Sequence, residues 1–147
     1  MSISETLHSD LGLSMKARDT TRTNVLRLVR SALKNEAIRM GHEPDDAEAL
    51  KVLLREAKQR RDSIQQFRAA GREDLAEIEE AELEVIGGYL PAPLTPLELE
   101  TLVDNVVTTT GVDSPAGTGQ VIGEVMRQAG ARADGGAVAA AVKRRLA

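Results

Sequence analysis

The chain has 147 residues, 41% of them hydrophobic and 29% charged, with a formal net charge of −4; it suits one domain or two small ones. It has no Cys or Trp and only one Phe and one Tyr, which excludes disulfides, thiolate metal sites and a cysteine nucleophile. A core rich in Leu, Val and Ala and poor in aromatics points to packed helices, and the negative charge removes the simplest argument for nucleic-acid binding. No apolar run reaches bilayer length and the N-terminus lacks a basic-then-apolar leader, so the expected setting is cytoplasmic, with no membrane.

The hydrophobic periodicity predicts an all-α chain of seven helices. Ser2 and Glu5 have capping-box spacing, and Ile3, Leu7, Leu11 and Met15 follow one stripe to about Arg18. Asp19 can cap a second helix that buries Val25, Leu26, Val29, Ala32 and Leu33. After Gly41 and Pro44, Asp45 and Asp46 start a third helix carrying Leu50, Leu53, Leu54, Ala57, Ile64 and Phe67. Gly71 breaks it, and a fourth runs from about Arg72 to Gly87 or Tyr89.

Pro91 and Pro93 hold residues 91–94 extended, since proline disfavours helical geometry in the residue before it. This proline linker divides an N-terminal four-helix domain, 1–90, from a small three-helix domain, 95–147. Thr95-Pro96-Leu97-Glu98 is a strong helix start, followed by Leu99, Leu102, Val103, Val106 and Val107 up to Gly111. Ser114 and Pro115 open a sixth helix that buries Val121, Ile122, Val125, Met126 and Ala129. Asp134 caps a seventh with Val138, Val142 and Leu146 inward.

Charge in the first domain is segregated: a basic stretch from Lys51 to Arg72 is followed at once by an acidic one from Glu73 to Glu84. Folding helices three and four into a long antiparallel hairpin about Gly71 aligns both patterns in one register. Phe67 then meets Leu75, Ile64 meets Ile78, Ala57 meets Val85, Leu53 meets Tyr89, and Arg60 stands opposite Glu82. The basic block is therefore expected to face its own acidic partner helix.

Few residues suggest chemistry. His8 and His42 lack ligand partners at metal spacing, no phosphate-binding lysine loop is present, and the acids are better placed as helix caps than as catalysts. No catalytic residue, cofactor or metal is implied. Gly117-Thr118-Gly119 suits a phosphate at a helix start, but Gly119 and Gly123, four apart, read better as a close helix approach. Lys143, Arg144 and Arg145 form the one cationic cluster without an acidic block beside it, with Arg132 near the preceding junction. These four are the first candidates for nucleic-acid contact. The second helix region, where Lys16, Arg18, Arg22, Arg27, Arg30, Lys34 and Arg39 outnumber Asp19 and Glu36, is the alternative, its basic face marked by Arg22, Arg30 and Lys34. With only Phe67 and Tyr89 as aromatics, base stacking cannot dominate any RNA binding.

The chain resembles the GatB/YqeY family, and within it the free-standing YqeY-like proteins. The matching stretches are Met15-Lys16-Ala17-Arg18-Asp19, Val25-Leu26-Arg27-Leu28, Lys58-Gln59-Arg60-Arg61-Asp62-Ser63, Ala70-Gly71-Arg72-Glu73-Asp74-Leu75-Ala76, Glu80-Ala81-Glu82-Leu83 and Tyr89-Leu90-Pro91. Gly119, Val121, Gly123, Val125-Met126, Ala133-Asp134-Gly135, Val138, Val142 and Lys143 continue them in the second half. That half is similar to the tail of the B subunit of tRNA-dependent amidotransferases, which helps hold tRNA. The resemblance implies a non-catalytic accessory module whose partner is tRNA or an aminoacyl-tRNA amidation complex. It also carries two alternatives: carbon–nitrogen ligase or amidase activity with glutamine as amido-N-donor, and a protein–protein interaction module without RNA. The family pattern often has lysine where Gln120 and Gly136 stand, glycine at Ala131 and asparagine at Ala139, so two cations and one polar side chain are missing from that surface.

Overall fold

The computed structural model describes residues 1–147, which form seven α-helices and no strand. They divide into two compact units, Met1–Leu90 and Pro91–Ala147. The first contains α1 (Ile3–Lys16), α2 (Thr20–Met40), α3 (Asp46–Ala69) and α4 (Glu73–Gly87); the second contains α5 (Pro96–Thr110), α6 (Thr118–Ala129) and α7 (Gly135–Leu146).

Helix starts follow the local chemistry of the sequence. Ser2, Asp45 and Thr95 each accept a hydrogen bond from the backbone N–H of the glutamate three residues on, and that glutamate's carboxylate accepts one from the cap residue's N–H. Asp19 and Asp134 accept from the N–H groups of Arg22 and Ala137. Each such bond satisfies an amide that the first helical turn leaves without a partner. Ser114 differs from expectation: its side chain caps nothing, Pro115–Gly117 make one 3-10 turn, and α6 begins at Thr118.

The first unit closes over Leu7, Leu11, Val25, Leu26, Val29, Leu33, Ala49, Val52, Leu53, Ala57 and Ile86. Met15 is not part of that core and is 48% exposed. The inner stripe of α1 passes from Leu11 to Ser14, whose hydroxyl lies 2.9 Å from that of buried Thr23 on α2. Two hydroxyls that satisfy each other can be buried where a lone one would be costly. α1 stops at Lys16, two residues early, and Arg18 turns the chain with φ 56°, a left-handed backbone that non-glycine residues rarely adopt.

α3 and α4 form the antiparallel hairpin, turning at Gly71 with φ 73°. Arg60, 94% buried, donates from Nε to Glu82 on α4 at 3.2 Å and from Nη1 to Glu56 on its own helix at 2.9 Å. Arg68 bonds Glu73 and Glu80 of α4. The charged blocks thus meet at these two residues, while Arg55 reaches Glu36 of α2 and Lys58 pairs with Asp62 of its own helix. Glu79, half-buried beside the Arg60 group, is pushed above the usual carboxylate range, first by burial and then by the charge of Glu82.

One hydrophobic pairing fails. Ile64 is buried, but Ile78 is 57% exposed. The inner face of α4 runs instead through Ala76, Leu83 and Ile86, at the 3.6-residue period. Ala76, fully buried, stands where the expected stripe put a larger side chain nearby.

In the second unit the core is Val103, Val106, Val107, Val121, Val125, Val138, Ala141, Val142 and Leu146, nearly all valine. Residues of the extended segment at 91–94 are fastened within it: Leu94 N–H donates to the carbonyl of Arg132 at 2.8 Å. Gly117 is required by space, because a Cβ there would lie 2.3 Å from Cγ1 of Val112. Gly119 and Gly123 are not: a Cβ at either would meet nothing within 4 Å. The expected close helix approach at those two glycines is therefore absent, and they face an open groove with Thr109 and Thr110.

Two outcomes follow from this packing. Ile64→Asp should cost about 2–4 kcal/mol in a denaturant titration, whereas Ile78→Asp should stay within about 0.5 kcal/mol of the parent. Residues 1–90 expressed alone should retain helical circular dichroism and unfold cooperatively, whereas 91–147 should be marginal because so short a chain buries little surface. A disordered 1–90 fragment would show that the two halves depend on each other.

Candidate nucleic-acid interface

The chain has 19 Lys and Arg residues, and most are held by a carboxylate of the protein. Arg39 and Arg55 share Glu36, Arg72 pairs with Asp74, and Arg127 pairs with Glu124. The last pair, with help from Gln128, brings the Glu124 carboxyl down to about 2. Lys16, Arg18, Arg27, Arg30, Lys34, Lys51, Lys143 and Arg144 have no carboxylate within ion-pair distance. Five of these eight lie between residues 16 and 34, at the end of α1 and along α2.

Arg27, Arg30 and Lys34 are spaced three and four apart, so one face of α2 carries all three. They line a cleft of about 660 Å³ whose walls also include Ser4 and Leu11 of α1 and Glu43. Arg27 also borders a second cleft, of about 270 Å³, with Met15, Arg18, Thr20, Thr23 and Asn24. Its guanidinium contacts the Met15 sulfur at 3.6 Å. A row of uncompensated cations from Arg18 to Lys34 therefore follows the α1–α2 groove.

Arg22, named with Arg30 and Lys34 from sequence, lies off this row. It falls about 140° round the helix from Arg27 at 100° per residue. Its guanidinium donates to the Tyr89 hydroxyl at 3.0 Å, and that hydroxyl donates to Asp10 Oδ2 at 2.5 Å. Arg22 also sits 5.8 Å from the centroid of the Tyr89 ring, within cation–π range. Burial, and then the bond to Asp10, push the Tyr89 phenol up to about 12. Arg18 and Arg27, counted with Arg22 in the basic second-helix region, do belong to the row. The i, i+3, i+7 spacing of 27, 30 and 34 places Arg27 on that face, whereas Arg18 lies in the turn after α1, where no helical period applies.

The C-terminal cluster is less open than its sequence neighbourhood implies. Arg145 donates to Asp104 of α5 at 2.8 Å, so the absence of a nearby acidic block along the chain did not leave it unneutralised. Arg132 donates to the Ala92 carbonyl at 2.9 Å and lies 3.4 Å from Glu98. Glu98 is held below the usual range first by its bonds from the Thr95 backbone and side chain, then by Arg132. Lys143 and Arg144 remain exposed, and Arg144 borders a cleft of about 270 Å³ that also contains Glu100 and Asp104. No group of three or more His, Asp or Glu is arranged to hold a metal, and no helix is long and apolar enough to cross a membrane.

Fold and surface thus define an all-helical protein of two compact units with a cationic helix face in the first. The chain belongs to the Yqey-like protein family, whose model matches residues 4–146. It is similar to "Altered inheritance of mitochondria protein 41, mitochondrial" of Lachancea thermotolerans, with 33% identity over 75% of this chain and 60% of that protein. The protein of the same name from Clavispora lusitaniae is 38% identical over 57% of this chain and 49% of its own length. That from Saccharomyces cerevisiae is 33% identical over 57% and 46%. The chain therefore spans about half to three-fifths of these relatives. Their names correct the cytoplasmic setting expected above, because each is called mitochondrial.

The Tyr89 cluster gives a direct test of this geometry. Tyr89 is the only tyrosine and there is no Trp, so the phenolate absorbance of the folded chain reports one group. Its midpoint should lie near 12 rather than at the ordinary value. The fold favours the protonated phenol, so this contribution to stability is whole below about pH 10 and is lost as pH rises through about 12. A midpoint near pH 10 in the folded chain would show that Asp10 and Arg22 do not hold the hydroxyl.

Proposed function

We propose that this chain is a non-catalytic accessory module that associates with tRNA, and that the α1–α2 face makes the contact. The observation that carries this reading is the concentration of uncompensated cations: Arg18, Arg27, Arg30 and Lys34 line two clefts that share Arg27, while Arg132 and Arg145 are already engaged. A net charge of −4 does not prevent this, because phosphate attraction is set by the local field within a Debye length. The link to tRNA-dependent amidation comes from the similarity of residues 95–147 to the amidotransferase tail.

A salt series of bulk-tRNA titrations tests the reading. Each phosphate contact contributes a slope of about 0.7–0.9 to the dependence of log affinity on log salt. Arg27→Gln/Arg30→Gln/Lys34→Gln should reduce that slope by about 2–3, whereas Lys143→Ala/Arg144→Ala/Arg145→Ala, outside the proposed face and with Arg145 spent on Asp104, should leave it nearly unchanged. A larger loss from the second variant would move the interface to the second unit. No tRNA binding at low salt would leave the protein–protein module as the function.

A further inference from the structure

Resting on the RNA reading above, we infer that the α1–α2 groove recognises the backbone of double-helical RNA rather than single strands or base sequence. Arg27 to Lys34 spans about 10 Å of rigid helix, long enough to reach more than one phosphate along a strand of a duplex. Arg18 extends the row from the left-handed turn after α1, where it lines a cleft with Arg27. Ser4 and Ser31 stand among the cations with no hydrogen-bond partner for either side chain, suited to phosphate or sugar oxygens. Glu43 also lines this cleft and repels phosphate where it stands.

The same face lacks the means to read single strands. Sequence-tolerant single-strand binding depends on aromatic platforms that repay the ordering of a flexible chain. The two aromatics here are Phe67 and Tyr89, neither of which borders the groove. Tyr89 is further occupied by Arg22 and Asp10. A fixed row of cations and hydroxyls matches a ligand whose phosphates are already fixed in space, as in duplex RNA, where shape and backbone dominate recognition.

The test is fluorescence anisotropy of the full chain with a labelled RNA duplex, each of its unstructured separated strands, and a second duplex of unrelated sequence, alongside bulk tRNA. The first duplex should bind about tenfold or more tighter than either strand, and the two duplexes should agree within about threefold. Arg27→Gln/Arg30→Gln/Lys34→Gln, with helical circular dichroism retained, should abolish the duplex preference. Strands that bind as tightly as the duplex, or strong discrimination between the two duplexes, would overturn this inference while leaving RNA association intact. Failure of every RNA, tRNA included, at low salt would remove the underlying reading as well.

Discussion

A guanidinium sealed between two helices must be neutralised where it stands, and Arg60 is in that position. Only 6% exposed, it is satisfied by Glu56 one turn back and by Glu82 across the hairpin. Removing Glu82 would leave Nε of this buried guanidinium without its acceptor, a larger loss than the net worth of the intact bond. The requirement therefore selects one alignment of α3 against α4. That alignment carries Tyr89, just past the end of α4, to Asp10 of α1 and Arg22 of α2. One buried charge thus orders the hairpin, and the hairpin's end ties the other two helices of the unit. It also withdraws Arg22 from the cationic row, which leaves Arg27, Arg30 and Lys34 to define the exposed face.

The parts of the fold legible in the sequence are those decided over a few residues. Cap bonds join positions three apart, so Ser2–Glu5, Asp45–Glu48 and Thr95–Glu98 could be read directly. The valine stripes of the second unit were visible for the same reason. The hairpin register was legible because opposite charges and apolar positions agree at Arg60 and Glu82. The misplacement of Ile78 shows the limit of pairing one residue with one residue: the small, buried Ala76 takes the inner face of α4, and the larger side chain turns outward. Ser14 was passed over for Met15 because a buried hydroxyl looks wrong until its partner Thr23, on another helix, is known.

Electrostatics was the least legible property. Lys143, Arg144 and Arg145 look free along the chain, yet Asp104, 41 residues away, holds Arg145. The basic stretch of α3, expected to face its own acidic partner helix, is taken up by Glu73, Glu80 and Glu82 of that helix and also by Glu36 and Glu56 outside it. What matters for a ligand is the charge left after the protein has satisfied itself. Family membership fits this pattern without specifying it, because the matched region runs through both units and does not single out a face.

The valine core of the second unit has a consequence for how that unit holds together. A β-branched side chain in a helix is confined to essentially one χ1 rotamer before tertiary packing begins. Seven of the nine residues in that core are valine, so little side-chain freedom remains to be lost when they are buried. Long, flexible residues in their place would bring more surface but also more entropy to surrender. The unit offsets its small size by starting from a less disordered unfolded state. The same stiffness leaves few rotamers with which to absorb a larger side chain, so this core should tolerate exchange within its own volume and little else.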